Sequence, residues 1–243
     1  MDAETYRRQL ALRLAYLKEQ GLGWGLAPPA LPPSLHRLPA GEGGRDRPEA
    51  SEEDGGLSRI RAELGECRRC RLAEGRSQIV FGTGDPRARV LFVGEGPGAD
   101  EDRVGEPFVG RAGQLLTDII QKGMGLKRSE VYIANVVKCR PPENRKPLPD
   151  EMAACLPFLE AQIAAVSPEV IVALGATALE ALLGRQAPIT RVRGQWMEWR
   201  GVPLMPTFHP SYLLRNPAAK REVWLDIQAV MARLGLPPPG RKN

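Results

Sequence analysis

The sequence predicts an α/β sandwich built on a mostly parallel sheet. Four short apolar runs of the kind found in buried parallel strands recur along the chain, and stretches with helical spacing separate them. Strands that alternate with helices favour a parallel sheet covered on its faces. The 243 residues, 42% of them hydrophobic, suffice for a packed core with one appendage.

The predicted elements alternate after residue 57. The strands are Val90–Val93, Val131–Val136, Val170–Leu174 and Val202–Pro206. The helices are Ala112–Met124, Asp150–Val166, Ala176–Leu183 and Ala218–Leu234. Because ligands of such folds gather at the carboxyl ends of the strands, the segments that follow the strands are the places to look for chemistry.

The ends of the chain differ from this pattern. Residues 1–21 predict an amphipathic helix, with apolar residues at Tyr6, Leu10, Leu14 and Leu17, and residues 22–56 predict a Gly/Pro-rich flexible linker. A catalytic domain over 57–236 and a tail over 237–243 complete the division. An isolated helix of this length is marginal in water. Two alternatives stay open: the helix docks on a replication or repair protein, or it folds back on its own domain.

Charge and the cysteines narrow the class of protein. The net charge of +5 favours an anionic partner such as nucleic acid. The first residues lack the apolar core of a secretory signal, and no apolar run reaches the roughly 18 residues of a membrane-spanning helix. We therefore expect a cytoplasmic protein without a membrane partner. We also expect a monomer. In that reducing compartment the four cysteines favour metal ligation over disulfides.

The segment after the first strand contains a long Gly-rich loop. Residues 94–99 fit the dinucleotide-binding pattern G-x-G-x-x-A. Asp100, Glu101 and Asp102 follow, however, and would repel a pyrophosphate, while the helical pattern begins only near Arg111. These features disfavour a nucleotide cofactor. Phe108 lies near the end of the loop, where it could stack on a flat ligand, and an ordinary core role is the alternative.

Polar residues also follow the second and fourth strands. Asn135 stands in an apolar run, where an amide needs a partner, and its donor and acceptor could match one edge of a base. His209 follows the last strand beside Pro210. The alternative for each is a structural role, bonded to neighbouring loops.

The cysteines form one C-x-x-C pair, Cys67 and Cys70, and two distant singles, Cys139 and Cys155. A zinc ribbon usually has a second pair, whereas a four-thiolate iron–sulfur cluster can join separate parts of a fold. Zinc at the same ligands remains an alternative, as do four unrelated buried thiols. Redox disulfide chemistry would leave Cys139 and Cys155 without a use.

In combination these motifs resemble the family 4 uracil-DNA glycosylases, the iron–sulfur enzymes of thermophilic bacteria and archaea. The resemblance runs from about Cys67 to Leu234. Its elements are the C-x-x-C pair, Gly94-Glu95-Gly96-Pro97-Gly98, the stretch from Pro107 to Gly113, Asn135-Val136-Val137-Lys138-Cys139-Arg140-Pro141-Pro142, Cys155 and His209-Pro210-Ser211. Each is weak alone, but six in family order are specific.

The resemblance implies a three-layer α/β/α sandwich with a short, mostly parallel four-stranded sheet. It implies excision of uracil from single- or double-stranded DNA in base excision repair, with a structural [4Fe–4S] cluster on the four cysteines. Glu95 and His209 would be catalytic. Uracil would lie among Gly94, Glu95, Gly96, Glu101, Phe108, Asn135, Asn144 and His209, with Glu101 near uracil C5 and braced with Asn144. Ser211, Leu213 and Arg215 would contact DNA, Leu213 entering the emptied base stack.

The chain departs from the family at Gly96, where an Ala is common and related glycosylases carry a second carboxylate that activates water. The water-activating role therefore stays open between Glu95 and a mechanism driven by stabilising the leaving group. The chain also lacks the basic, His-containing insert of the uracil-crosslinking relatives, so covalent capture of uracil is disfavoured.

Two functions from other classes compete with this interpretation. A metal-stabilised nucleic-acid-binding module without catalysis would explain the charge and the cysteines but give Glu95, Asn135 and His209 no joint purpose. An oxidoreductase with a redox cluster would need a nucleotide cofactor, which the acidic run after the Gly-rich loop disfavours.

Overall fold

The structure, a computed structural model, describes Asp54 and residues 56–237. The predicted N-terminal helix lies outside the described residues, as do nearly all of the predicted linker and the tail beyond Pro237.

A six-stranded sheet forms the centre of the fold. Its strands are β1 (Thr83–Gly84), β2 (Val90–Gly94), β3 (Tyr132–Asn135), β4 (Val170–Leu174), β5 (Met197–Trp199) and β6 (Val202–Thr207). Their spatial order is β1-β3-β2-β4-β6-β5. The four central strands are parallel and are the four predicted from sequence, while β1 and β5 are antiparallel at the edges. The edge strands escaped prediction because they are too short to show a pattern.

Eight α-helices are described around the sheet. They are α1 (Leu57–Leu64), α2 (Ala99–Val104), α3 (Arg111–Asp118), α4 (Pro149–Val166), α5 (Ala176–Leu183), α6 (Ile189–Val192), α7 (Pro210–Arg215) and α8 (Lys220–Arg233). A π-helical segment, Ile119–Met124, continues α3, so the two together cover the predicted helix Ala112–Met124. None of the described helices is both long and apolar enough to cross a membrane.

Residues of each central strand alternate between two hydrophobic cores. Leu91 and Val93 belong to the core that contains Leu159 of α4 and Leu179 of α5. The intervening Val90 and Phe92 belong to the other core, which contains residues of α3 and α8. A period of two in a fully buried strand places a helical layer on each face, which confirms the α/β/α sandwich.

One helix was not predicted. The sequence predicts no helix between the first strand and about Arg111, yet the separate helix α2 starts at Ala99, directly after the Gly-rich turn. The acidic residues of its first turn lie near unpaired amide groups, where the helix dipole stabilises negative charge. Asp102 is buried and accepts hydrogen bonds from the Ser77 N–H at 2.9 and 3.1 Å. At six residues, α2 is too short to show an apolar stripe.

A candidate active site at the carboxyl edge of the sheet

A cavity of about 610 Å³ opens where the four parallel strands end. The chain leaves β2 towards β3 on one side and leaves β4 towards β6 on the other, so the sheet reverses its order between β2 and β4. Ligands of open α/β sheets bind at this position. The register sets the strand ends level, with Gly94 opposite Asn135 and Leu174 opposite Thr207. The loops that follow all four strands therefore converge on the cavity.

Gly94 ends β2 at the point where two predicted site residues meet. A Cβ at this position would lie 2.4 Å from the Asn135 Oδ1 and 2.6 Å from ring atoms of Phe108. No side chain fits there, so glycine lets the amide and the ring approach the same backbone. Gly96 is less tightly surrounded, since a Cβ would clash with Val137 Cγ2 at 2.7 Å but would make only ordinary contacts with Pro141, at 3.7 and 3.9 Å. The alanine common in the family would need that valine to shift.

Phe108 has a strained backbone, with φ of 55°, and the residue is only 6% exposed. A left-handed aromatic residue persists only when its surroundings hold it. The Arg128 guanidinium provides one restraint by donating to the Pro107 carbonyl at 2.5 Å. The ring lines the cavity. Its position supports the predicted stacking surface.

Glu101 provides the other restraint on this loop. Its Oε1 accepts the N–H groups of Val109 and Gly110, each at 2.9 Å, and its Oε2 accepts that of Gly98 at 3.1 Å. The carboxylate thus ties the start of α2 to the segment that follows Phe108. The predicted brace between Glu101 and Asn144 is not among the described hydrogen bonds. Asn144 Oδ1 instead accepts from Arg140 Nε at 2.8 Å.

Asn135 lies at the end of β3 with 1% of its surface exposed. Its Oδ1 is the one buried side-chain oxygen or nitrogen without a hydrogen-bond partner in the described part of the chain. Leaving such an atom unsatisfied costs about 1–3 kcal/mol, so each case calls for an explanation. Because Asn135 lines the cavity, a ligand that donates a hydrogen bond to Oδ1 would remove the cost.

His209 precedes α7 and is fixed in one tautomer. Its Nδ1 accepts the backbone N–H of Ser211 at 3.1 Å and lies 2.8 Å from the Ser211 Oγ. Because a backbone N–H can only donate, Nδ1 carries no proton and the neutral ring carries it on Nε2. Burial, with a smaller contribution from the Arg215 charge, lowers the pKa of His209 to about 4. The residue therefore offers a neutral Nε2–H donor at the cavity wall.

The predicted base-stack wedge does not fit the structure at Leu213. That side chain is 1% exposed and packs in the core with Phe208. The short helix α7 turns Leu213 inward, whereas Leu214 is 39% exposed. Ser211 and Arg215, predicted as DNA contacts, both line the cavity. Leu214 follows Ser211 by three residues, a spacing that places both on one side of the helix, so it is the exposed leucine on the side of α7 that carries Ser211.

Several lining residues were not predicted. Arg111 and Arg145 add positive charge near Arg215, although Arg145 is paired with buried Glu151 at 2.7 Å. Gly175, with φ of 89°, begins the turn after β4 and lies against His209 Cβ. The Gly-Ala that follows the third predicted strand was a usable signal for this turn. No feature of the local sequence predicted that Arg111 and Arg145 line the cavity.

The four cysteines line a second, separate cavity. Cys67 and Cys70 follow α1, Cys139 follows β3, and Cys155 lies in α4. No three ligand side chains among the described residues are close enough to hold a single metal ion. The thiols therefore surround one space without converging on a point.

Two features of the surroundings of these thiols bear on metal binding. Burial raises the pKa of Cys155 to about 11, so that thiol stays protonated unless a metal displaces its proton. Hydrogen bonds to sulfur are a common feature of iron–sulfur sites. Three sulfurs have an N–H donor: Cys67 from Arg69 at 3.3 Å, Cys139 from Arg76 at 3.4 Å and Cys155 from the Lys138 backbone at 3.3 Å.

Comparison with known proteins identifies a superfamily for this chain. The profile of the uracil DNA glycosylase superfamily matches residues 81–228. The chain is 55% identical over 166 residues to a type-4 uracil-DNA glycosylase of Thermotoga maritima, covering 67% of this chain and 86% of the relative. It is 41% identical over 182 residues to a type-4 enzyme of Sulfurisphaera tokodaii, covering 72% and 83%. A type-5 uracil-DNA glycosylase of Thermus thermophilus is 41% identical over 119 residues, covering 43% and 53%.

Proposed function

The chain belongs to the uracil DNA glycosylase superfamily, and from that membership we infer that it removes uracil from DNA by hydrolysing the N-glycosidic bond. The product would be an abasic site for base excision repair. The observation that best supports uracil recognition in this cavity is the Asn135 Oδ1, which has no hydrogen-bond partner within the described residues. Uracil has an N3–H that can donate to Oδ1, whereas the same position of cytosine is an acceptor. A wrong base would leave buried polar groups unpaired, which discriminates strongly.

We propose that the target nucleotide leaves the base stack before cleavage, since its glycosidic bond is otherwise out of reach. The flipped ring stacks on Phe108, and the Asn135 amide pairs with N3–H and O4. As the bond breaks, negative charge grows on the departing uracil. The His209 Nε2–H donates to O2 and strengthens with that charge, an effect of roughly 2.7–4 kcal/mol for one well-placed donor.

Among the carboxylates that line the cavity, Glu95 is the one available for chemistry. Glu101 is occupied by three backbone N–H groups, and Asp100 pairs with Arg103 at 3.7 Å. Glu95 has no hydrogen bond or ion pair through its side chain within the described residues. We assign it the orientation of the attacking water and stabilisation of the oxocarbenium-like sugar.

We further propose that Cys67, Cys70, Cys139 and Cys155 hold a [4Fe–4S] cluster. Such a cluster is wider than a single ion and suits thiols that surround a space without converging. When bound, it would supply a covalent link between the segment after α1, the loop after β3 and α4. Hydrolysis adds and removes no electrons, so the contribution to this reaction is structural.

The decisive test is excision from an oligonucleotide with one deoxyuridine, followed by alkali cleavage of the abasic site. The wild-type chain should cut single- and double-stranded uracil substrates and leave matched cytosine and thymine oligonucleotides intact. Asn135→Ala should lower the single-turnover rate on uracil by about 10²–10³-fold. Binding of uracil DNA without any cleavage by the wild-type chain would show a binding module instead.

The N-terminal residues enter this function only as a proposal. We propose that residues 1–21 form a helix that docks on a repair or replication protein through the 22–56 linker, with a monomeric catalytic domain over 57–236. Deletion of residues 1–56 should then leave the melting temperature and uracil excision unchanged. A large fall in melting temperature would show that the helix packs on its own domain.

A further inference from the structure

Lys138 is a charged side chain buried in the core behind the active site. It is 1% exposed, and no carboxylate forms an ion pair with it in the described part of the chain. Burying an ammonium group without a counter-charge is costly, and a well-packed apolar side chain of the same volume is often as good or better for stability. Packing alone therefore gives no reason for a lysine here.

The Lys138 ammonium is held by two oxygen acceptors. Its Nζ donates to the Asn135 backbone carbonyl at 2.8 Å and to Gln162 Oε1 at 2.5 Å. Gln162 is fully buried and is itself fixed, because its Nε2 donates to the Phe81 carbonyl at 2.9 Å and to the Tyr132 hydroxyl at 3.2 Å. The Lys138 side chain thus folds back along the chain to the carbonyl of Asn135, three residues earlier.

The backbone of Lys138 is fixed as well. Its N–H donates to Cys155 Sγ at 3.3 Å, and its carbonyl accepts from the Val80 N–H at 2.8 Å. The position from which Nζ reaches Asn135 is therefore set by contacts outside the active site.

The contact to Asn135 replaces a missing sheet partner. β1 pairs with β3 only at Ile133 and Tyr132, so the ladder on that side stops before Asn135. On the other side, β2 continues to Asn135 through its pairing with Gly94. The Lys138 ammonium supplies a donor on the open side. The Asn135 peptide is then restrained by β2 on one side and by the Lys138 ammonium on the other.

We propose that Lys138 is a positioning residue for uracil recognition, whose ammonium holds the Asn135 peptide so that the Asn135 amide faces the flipped base in one orientation. This inference rests on the proposed function. Orientation matters because the Asn135 amide turned over by 180° would match cytosine instead of uracil. That turn is a rotation about the Asn135 Cβ–Cγ bond, so the fixed carbonyl acts by setting where the Asn135 Cβ lies and hence which end of the amide meets each atom of the base edge.

The test compares Lys138→Met with Gln162→Met in the full-length protein. Lys138→Met removes the contact to the Asn135 carbonyl, whereas Gln162→Met removes the neighbouring acceptor and leaves that contact in place. Both substitutions perturb the same buried region, so each variant is characterised by melting temperature and iron content. The wild-type chain is assayed first on uracil DNA, and failure there would overturn the proposed function independently of Lys138.

The readouts are inhibition by free uracil and kcat/KM per folded molecule, for uracil and for cytosine substrates. Lys138→Met should weaken uracil inhibition and lower kcat/KM by at least about tenfold, and it should narrow the uracil-to-cytosine ratio. Gln162→Met should change uracil inhibition, kcat/KM and the uracil-to-cytosine ratio by no more than about twofold each. Equal losses in the two variants, or unchanged uracil inhibition in Lys138→Met, would overturn the inference. If Lys138→Met does not fold, Lys138→Gln, which removes the charge and is shorter, is measured in the same way with the same expectation.

Discussion

The Phe108 ring lies 5.5 Å from the His209 imidazole, measured between ring centroids, and the two planes are inclined by 34°. A base that stacks on Phe108 therefore lies within reach of the group that would stabilise its leaving charge. The two side chains come from loops and are 101 residues apart in sequence, so their contact is produced by the level ends of β2 and β6.

Phe108→Leu should keep the apolar volume and remove the stacking surface. Base–aromatic stacking is worth about 1–3 kcal/mol, so the affinity for an uncleavable uracil substrate should fall about 5- to 150-fold. Phe208→Leu is the matched control, because Phe208 is equally buried but stacks on Tyr212, outside the site. Equal affinity losses in both variants would remove the stacking role from Phe108.

The single-turnover excision rate should show no His209 ionisation between pH 5.5 and 7.5. Burial lowers the pKa of His209 to about 4, so the ring is neutral across this range. A rate that falls tenfold per pH unit above pH 6.5 would mean that the imidazolium is the active form. NMR titration of the ring, with His209→Gln to assign the signal, measures the pKa directly.

The same shift has a consequence for stability. The folded-state pKa of His209 lies below the unfolded value of about 6.5, so between these values the unfolded chain binds the extra proton. The free energy of unfolding should therefore decrease as pH falls from about 6.5 to 4. His209→Gln should show a weaker decrease over that window in denaturant titrations. An identical pH dependence in both proteins would contradict the lowered pKa.

Alanine substitutions at Leu214 and Leu213 should distinguish an effect on DNA distortion from an effect on folding. Leu214→Ala, at the exposed position, should lower excision from double-stranded DNA about tenfold and leave single-stranded DNA within twofold, because only the duplex must be unstacked. Leu213→Ala, in the core, should cost about 2–5 kcal/mol of stability. A selective loss on duplex substrate in Leu213→Ala at unchanged stability would restore the original wedge assignment.

Arg111 and Arg215 should contribute phosphate contacts at the cavity mouth. Alanine at either position should reduce the slope of log K against log salt concentration by about one for uracil DNA. Arg59→Ala, an exposed substitution on α1 outside the cavity lining, should leave the slope unchanged. An unchanged slope in the Arg111 variant would place that residue outside the DNA path.

The purified protein should be brown and contain about four irons per chain. Cys155→Ser should lose iron and melt at a lower temperature, whereas Ala153→Ser, on an exposed position of the same helix, should change neither. One zinc per colourless, active chain would contradict the cluster while leaving the glycosylase function intact.

The sequence predicted the four central strands because each is a continuous apolar run, and it placed Asn135 and His209 at strand ends for the same reason. It could not show which way Leu213 faces, since α7 is too short for a periodic signal and the core decides. Lys138 and Arg128 donate to the backbone carbonyls of Asn135 and Pro107, and which carbonyl a long side chain reaches is decided by the packing around it, which no spacing in the chain reveals. Glu101 was predicted near the base and lines the cavity, and its hydrogen bonds show a further role, which no spacing indicated, in holding the loop after Phe108.

The antiparallel edges of the sheet also affect how molecules of this protein meet each other. β1 has two residues and β5 has three, so each edge offers few free N–H and C=O groups to a second chain. Trp199 of β5 is covered by the Arg200 guanidinium, 4.7 Å from its ring centroid. Long apolar edges promote strand exchange and fibril growth, while short, charged ones suppress them. Sheet-to-sheet aggregation through these edges should therefore be slow even when heating loosens the surrounding helices.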